Sequence, residues 1–374
     1  MKTNWDLTVF YKDFDDPEFK DDLARLPKEI DAFTTAIAAP AEDEVEKLVS
    51  LVHQEEALSN LFERLSLMIE LTLSVDANNK AANAAMAPLM RAVMGSSLAS
   101  NAFSRYLASL ENLDAIIDAD DELKARAFAL REAAEDAKHQ LPEALEKPVL
   151  KMQLSGGEAF SQLRDKLDAT LLVDYDGKQI PLSAVRALAY DGDADTRRRA
   201  YEAELASYKK IELPMSFCLN NLKAEGETMA ALKGYKGVLD MALAHSRMDE
   251  KTLEAMWTAI REALPELREY FKAKGRLLGH ENGLPFYDLF APVGQSTRTY
   301  TVEEARALLL DLFGKFCPEM GEMMRTAFDE GWIDMYPREG KSGGAFCAGY
   351  YEKNISRVMT NFAGRASDVG TQAH

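Results

Sequence analysis

A chain of 374 residues with a formal net charge of −18 repels phosphate backbones and the anionic inner face of a membrane, which argues against nucleic-acid and membrane partners. Its 47% hydrophobic and 28% charged residues exclude a disordered chain and suffice to bury a sizeable core in roughly two or three domains. Three scattered cysteines, Cys218, Cys317 and Cys347, exclude a disulfide framework or a cysteine-based zinc site and are expected to be small core residues.

The opening Met1-Lys2-Thr3-Asn4 leads into no signal-peptide core, and no stretch reaches the roughly 20 apolar residues that span a bilayer, so a cytoplasmic location is expected. From about residue 16 to 155 the pattern is helical. Val45, Leu48, Val49 and Val52 fall at i, i+3, i+4 and i+7, as do Leu58, Leu61, Phe62 and Leu65. Helices are predicted over 86–110 and 121–139, the second ended by Leu141-Pro142. Gly156-Gly157 opens another helix. Two short apolar runs flank Asp176-Gly177, the signature of a two-residue hairpin.

Beyond it, helices are predicted over 184–190 and 196–210. Leu253, Met256, Trp257, Ile260 and Leu264 make a further stripe, which Pro265 is expected to interrupt. Thr301 and Glu304 form a capping box ahead of an apolar run. Then the texture changes. Residues 332–336, 345–350 and 357–362 read as short strands around the glycine-rich turn Lys341-Ser342-Gly343-Gly344-Ala345. Ser367 or Asp368 is the expected N-cap of a last helix that runs to His374.

The chemistry-bearing motifs are few. No phosphate-binding glycine loop is present. Gly340-Lys341-Ser342-Gly343-Gly344 matches a nucleophile elbow in letters, but strand-like residues follow where that motif needs a helix. Of the five histidines, His53, His139, His245 and His280 are expected to be structural, with His245 a weaker candidate contact residue before a helix start. His374 differs in its setting: strands, a glycine-rich turn and a new helix precede it. A zinc peptidase helix carries His-Glu-x-x-His, which puts two imidazoles on one face with a glutamate between them. Here the first position alone is present.

Several ordered segments resemble oligoendopeptidase F and its relatives in the thimet-oligopeptidase family of zinc peptidases. They are Trp5-Asp6-Leu7-Thr8-Val9-Phe10-Tyr11, Asp195-Thr196-Arg197-Arg198-Arg199-Ala200-Tyr201, and Leu284-Pro285-Phe286-Tyr287-Asp288-Leu289. Gly331-Trp332-Ile333-Asp334, Gly340 to Phe346, Asn361-Phe362 and Thr371-Gln372-Ala373-His374 complete the series, and His374 falls on the first histidine of the family's metal motif. Gln372 departs from the family pattern, where leucine is usual, so the last helix either buries a polar group or exposes that face.

The resemblance implies a mainly α, multi-helix oligopeptidase architecture with a small β element before the metal-binding helix. It implies an N-terminal helical region over 1–185 and the first part of a zinc peptidase domain over 186–374, truncated before the catalytic glutamate and the other ligands. The family holds Zn2+ with two histidines and a glutamate and cleaves short peptides with metal-activated water in a channel between helical halves. His374 would be a metal ligand. Gly343, Gly344, Ala345 and Phe346, with Tyr350, would border the cleft and bind an extended peptide along a strand edge. No catalytic residue is expected within the chain, which should be inactive alone and bind zinc weakly, with uncovered apolar surface. A non-catalytic helical peptide-binding protein without the metal site is the alternative; a related zinc carboxypeptidase fits the motif order less well.

Overall fold

The computed structural model describes residues 2–294, 298–338 and 340–374. Helices dominate it, as the pattern implied. The chain opens with three long helices, α1 (Pro17–Ala38), α2 (Glu44–Val75) and α3 (Lys80–Ser109), which pack on one another. Each starts at a short polar residue whose side chain accepts backbone N–H groups left over by the first turn: Asp16, Asp43 and Asn79. Their apolar stripes meet in one core that includes Leu26, Leu48, Leu65, Ile69 and Leu107. Burial of each such side chain contributes about 1.5–3 kcal/mol, so packing outweighs the caps in holding these helices. Three short helices follow, α4 (Leu113–Ala119), α5 (Asp121–Ala125) and α6 (Ala127–Asp136). The single helix expected over 121–139 is thus divided, with Arg126 between two pieces and its guanidinium tied to Glu56.

The chain divides into two compact units, Met1–Ala137 with Thr297–His374, and Lys138–Ser296. The second unit holds α7 (Glu143–Ser155), α8 (Gly157–Thr170), β1 (Leu172–Tyr175), β2 (Lys178–Pro181), α9 (Leu182–Ala187), α10 (Ala194–Tyr208), α11 (Glu212–Leu232), α12 (Val238–His245) and α13 (Glu250–Leu277). The Asp-Gly hairpin forms as predicted. Tyr175 pairs with Lys178, and Asp176 and Gly177 take φ of 50° and 74°, the left-handed pair that a two-residue turn between twisted strands requires. Two segments of the family resemblance meet in this unit: the Arg197 Nε–H donates to Asp288 Oδ1 at 2.7 Å, both side chains being buried, and His280 Nε2 lies 2.5 Å from Asp288 Oδ2.

Pro265 does not interrupt its helix. It lies inside α13, as Pro27, Pro88 and Pro148 lie inside α1, α3 and α7. One proline removes one backbone bond and adds local strain, and in a long helix the turns on either side hold across the gap. One further expectation is not met: Cys218 is buried, but Cys317 is half-buried and Cys347 exposed. His245 is the last residue of α12 and precedes the start of α13 at Glu250.

The first unit is completed by α14 (Val302–Phe316), α15 (Pro318–Asp329), β3 (Ile333–Asp334), β4 (Phe346–Tyr350), β5 (Ile355–Met359) and α16 (Ala366–Ala373). The capping box at Thr301 and Glu304 is present in both directions. All three strands are shorter than the sequence pattern suggested. β5 is central in the sheet, parallel to β3 and antiparallel to β4, which leaves β4 with a free edge. Among the described residues no helix is long and apolar enough to cross a membrane.

Candidate functional site

A cavity of about 330 Å³ opens in the first unit between α15, the three-stranded sheet and α16. Ala345, Phe346 and Cys347 line it from β4 and the turn before it, and Thr371 to His374 line it from α16. The structure therefore brings Ala345 and Phe346 to the same hollow as His374, although 28 positions separate Phe346 from His374 in the chain.

The glycine-rich turn ahead of β4 is held from beneath by charge. Asp334 is fully buried at the end of β3 and accepts two bonds from the Arg338 guanidinium, at 2.7 and 2.9 Å, and one from Lys341 Nζ at 2.6 Å. Lys341 Nζ also donates to the Tyr336 carbonyl. Burial pushes the Asp334 carboxyl up, but the hydrogen bonds from Arg338 and Lys341 outweigh it and hold the group below the ordinary aspartate value. Burial likewise pulls the Lys341 ammonium below its ordinary value against the opposing pull of Asp334. The turn is further pinned by Ser342 N–H on the Ser74 carbonyl and by the Asn361 amide, which donates to the carbonyls of Ser342 and Gly344 at 2.9 Å each. Asp334, Lys341 and Asn361 stand in the segments that carry the resemblance, but nothing in their spacing disclosed this clamp.

Gly344 has φ of 80°, a conformation that favours glycine, whereas Gly343 lies outside that region; a Cβ at either position would meet no atom of the described residues within 4 Å. Open space thus lies beside both. Phe346 is partly exposed, and its ring centroid lies 6.3 Å from that of Trp5. The opening segment reaches this place because it is laced along β3: Met335 N–H donates to the Thr3 carbonyl and Asp6 N–H to the Gly331 carbonyl. Tyr350 lies apart from the cavity. It is buried with its ring edge-on to Phe10, its hydroxyl donates to the Glu352 carboxylate, and burial followed by that bond pushes the hydroxyl up.

The N-cap of the last helix lies two residues before Ser367, the earlier of the two expected caps. Arg365 takes the capping position, and Asp368, three residues on, accepts N–H bonds from Arg365 and Ala363 at 2.9 Å each. His374 closes the helix, exposed at the rim, its backbone N–H on the Gly370 carbonyl. Of the two possibilities left open for Gln372, burial is realised: it is 7% exposed, and among the described residues neither Oε1 nor Nε2 has a partner. An unpaired buried amide costs about 1–3 kcal/mol. Among the described residues no three His, Cys, Asp or Glu side chains gather as a metal set. A catalytic zinc needs three protein ligands, so the described residues do not by themselves make up such a site.

The model of peptidase family M3 matches residues 187–374, and that of oligopeptidase F matches 108–172. An oligoendopeptidase F homologue of Lactococcus lactis subsp. lactis (strain IL1403) is 21% identical over 393 aligned positions, covering 100% of this chain and 63% of the relative. Oligopeptidase PepF of Bacillus subtilis (strain 168) is 25% identical over 262 positions, covering 68% of this chain and 39% of the relative. The chain therefore spans less than two thirds of the length of the curated relatives it matches. The solved structure of PZ peptidase A with an inhibitor superposes with a TM-score of 0.70 at 17% identity over 94% of this chain and 60% of that one, a likeness of fold. The chain belongs to peptidase family M3, with the oligoendopeptidase F proteins.

Proposed function

We propose that this chain forms part of a cytoplasmic, zinc-dependent endopeptidase that hydrolyses short oligopeptides. The observation that carries the reading is the shared cavity: His374 on α16 and Ala345 and Phe346 beside the free edge of β4 face one hollow within the segment matched by the M3 model. A strand with unpaired N–H and C=O groups on one side offers main-chain bonds to an extended peptide, and open backbone at Gly343 and Gly344 favours close approach. Tyr350 is left out of the proposed set because it packs in the core.

His374 would contribute one imidazole to the metal, the other ligands and the catalytic glutamate coming from sequence outside these 374 residues. The functional boundary at 185/186 belongs to the same proposal, supported by an M3 match that begins at residue 187. Reading the gene past codon 374 tests it. An in-frame Glu-x-x-His, and cleavage of a quenched-fluorescent oligopeptide by the extended protein, are expected. Any other continuation, or no cleavage by a zinc-loaded extended protein, removes the endopeptidase and leaves the helical peptide-binding alternative.

A further inference from the structure

The cavity between α15, the sheet and α16 holds one group that peptide binding along a strand edge does not use. Gln372 lines it, is more than nine-tenths buried, and has no hydrogen bond from either amide atom. Two of its polar neighbours are committed, the Thr360 hydroxyl to the Met335 carbonyl and that of Thr371 to the Ser367 carbonyl, while Ser356 and His374 also line the cavity. The other walls include Met324, Trp332, Phe346 and Val358, which are apolar. A carboxamide offers two donors and two acceptor sites, and native folds rarely leave such a group both buried and unpaired.

We propose that Gln372 sets the side-chain preference of the peptide site, selecting a substrate residue that itself carries a carboxamide, asparagine or glutamine. This rests on the peptide-binding reading above and deepens it. A carboxamide can donate to Gln372 Oε1 and accept from Nε2 at once, while its methylenes lie on the apolar walls. A hydroxyl completes part of that pairing. A charged side chain would lose its water against Met324, Trp332 and Val358, which costs more than burying a neutral amide. A volume of about 330 Å³ is at the small end for ligand pockets and suits one side chain.

The test uses blocked, charge-matched hexapeptides of alanine and lysine. One glutamine, or the apolar isostere norleucine, is moved through the positions. Each is titrated against the 374-residue protein carrying Trp257→Phe, with the combined fluorescence of Trp332 in the cavity wall and Trp5 beside Phe346 as readout. At one position the glutamine peptide should bind about tenfold or more tighter than its norleucine partner, because an apolar occupant leaves the amide dry. Gln372→Leu should abolish or reverse that ratio. It should also raise the melting temperature of the unliganded protein, since it removes an unpaired polar group. Equal binding of the two peptides at every position overturns the inference while peptide binding stands. A preference that survives Gln372→Leu, or a lower melting temperature in that variant, overturns it as well. Binding of neither peptide overturns both the inference and the reading beneath it.

Discussion

Asp334 and Lys341 bear opposite charges in a place from which water is excluded, and their value to the fold lies in their being together. Removal of Asp334 leaves the Lys341 ammonium buried without its counter-charge, which typically costs about 3–5 kcal/mol, whereas Asp334 without Lys341 would still have Arg338. Asp334→Ala is therefore expected to lower the unfolding free energy by about 3 kcal/mol, read from urea denaturation, and to loosen the turn at Gly343 and Gly344. The pH dependence follows from the lowered Asp334 value. A carboxyl with a depressed folded pKa contributes stability that is present above the unfolded value of about 3.9 and is lost as pH falls through the folded one. Unfolding free energy should fall as pH drops from about 5 toward 2, and Asp334→Asn should flatten that slope; identical slopes would show that the pair does not titrate in this way. The residues of this clamp are visible in the sequence, but their pairing is not. Asp334 and Lys341 are seven positions apart across a turn, and only the burial of the turn base against the opening segment and α2 makes them partners. Gln372 was legible as a departure from the family pattern, and the packing of α16 alone decided that it is buried.

At the scale of elements, what the sequence disclosed was local. The Asp176-Gly177 hairpin and the Thr301/Glu304 box depend on residues within four positions of each other, and both formed. What it hid was supplied from a distance. The start of α8 is one case: the Gly157 N–H donates at 2.6 Å to Glu225 Oε2, a carboxylate reaching from α11. A charge at a helix N-terminus answers both the free N–H groups and the helix dipole. A Cβ on Gly157 would stand 2.5 Å from a Glu225 oxygen, so Gly157→Ala should expel the carboxylate. Gly157→Ala and Glu225→Ala are each expected to destabilise by about 1.5–3 kcal/mol, the worth of a charge-assisted hydrogen bond. The double variant should cost little more than either single one; strict additivity would mean that the two do not act through this contact. The same dependence on surroundings explains Pro265, a breaker by rule that a 28-residue helix carries without ending.

The whole molecule sets surface charge against exposed apolar side chains. Leu213, Phe217 and Leu219 on α11 and Met256, Trp257 and Ile260 on α13 remain exposed, so the stripe predicted around Trp257 lies in the open. The net charge of −18 holds copies apart at low ionic strength, and salt screens it within about 10 Å at 0.1 M. Sedimentation velocity should therefore find a monomer at low salt and larger species above roughly 0.5 M, with bound anilinonaphthalene sulfonate fluorescing throughout. A salt-independent monomer that leaves the dye dark would refute this. At this scale the order of the motifs made the family legible, whereas the cavity required β4, β5 and α16 to be placed together.

His374 is proposed as one ligand of a zinc site that these 374 residues do not complete. Its most direct test is elemental analysis of the chain after equilibration with micromolar zinc and removal of free metal. Far less than one zinc per chain is expected, unchanged by His374→Ala. A value near one zinc per chain that His374→Ala abolishes would contradict it, because the chain would then supply the whole site by itself.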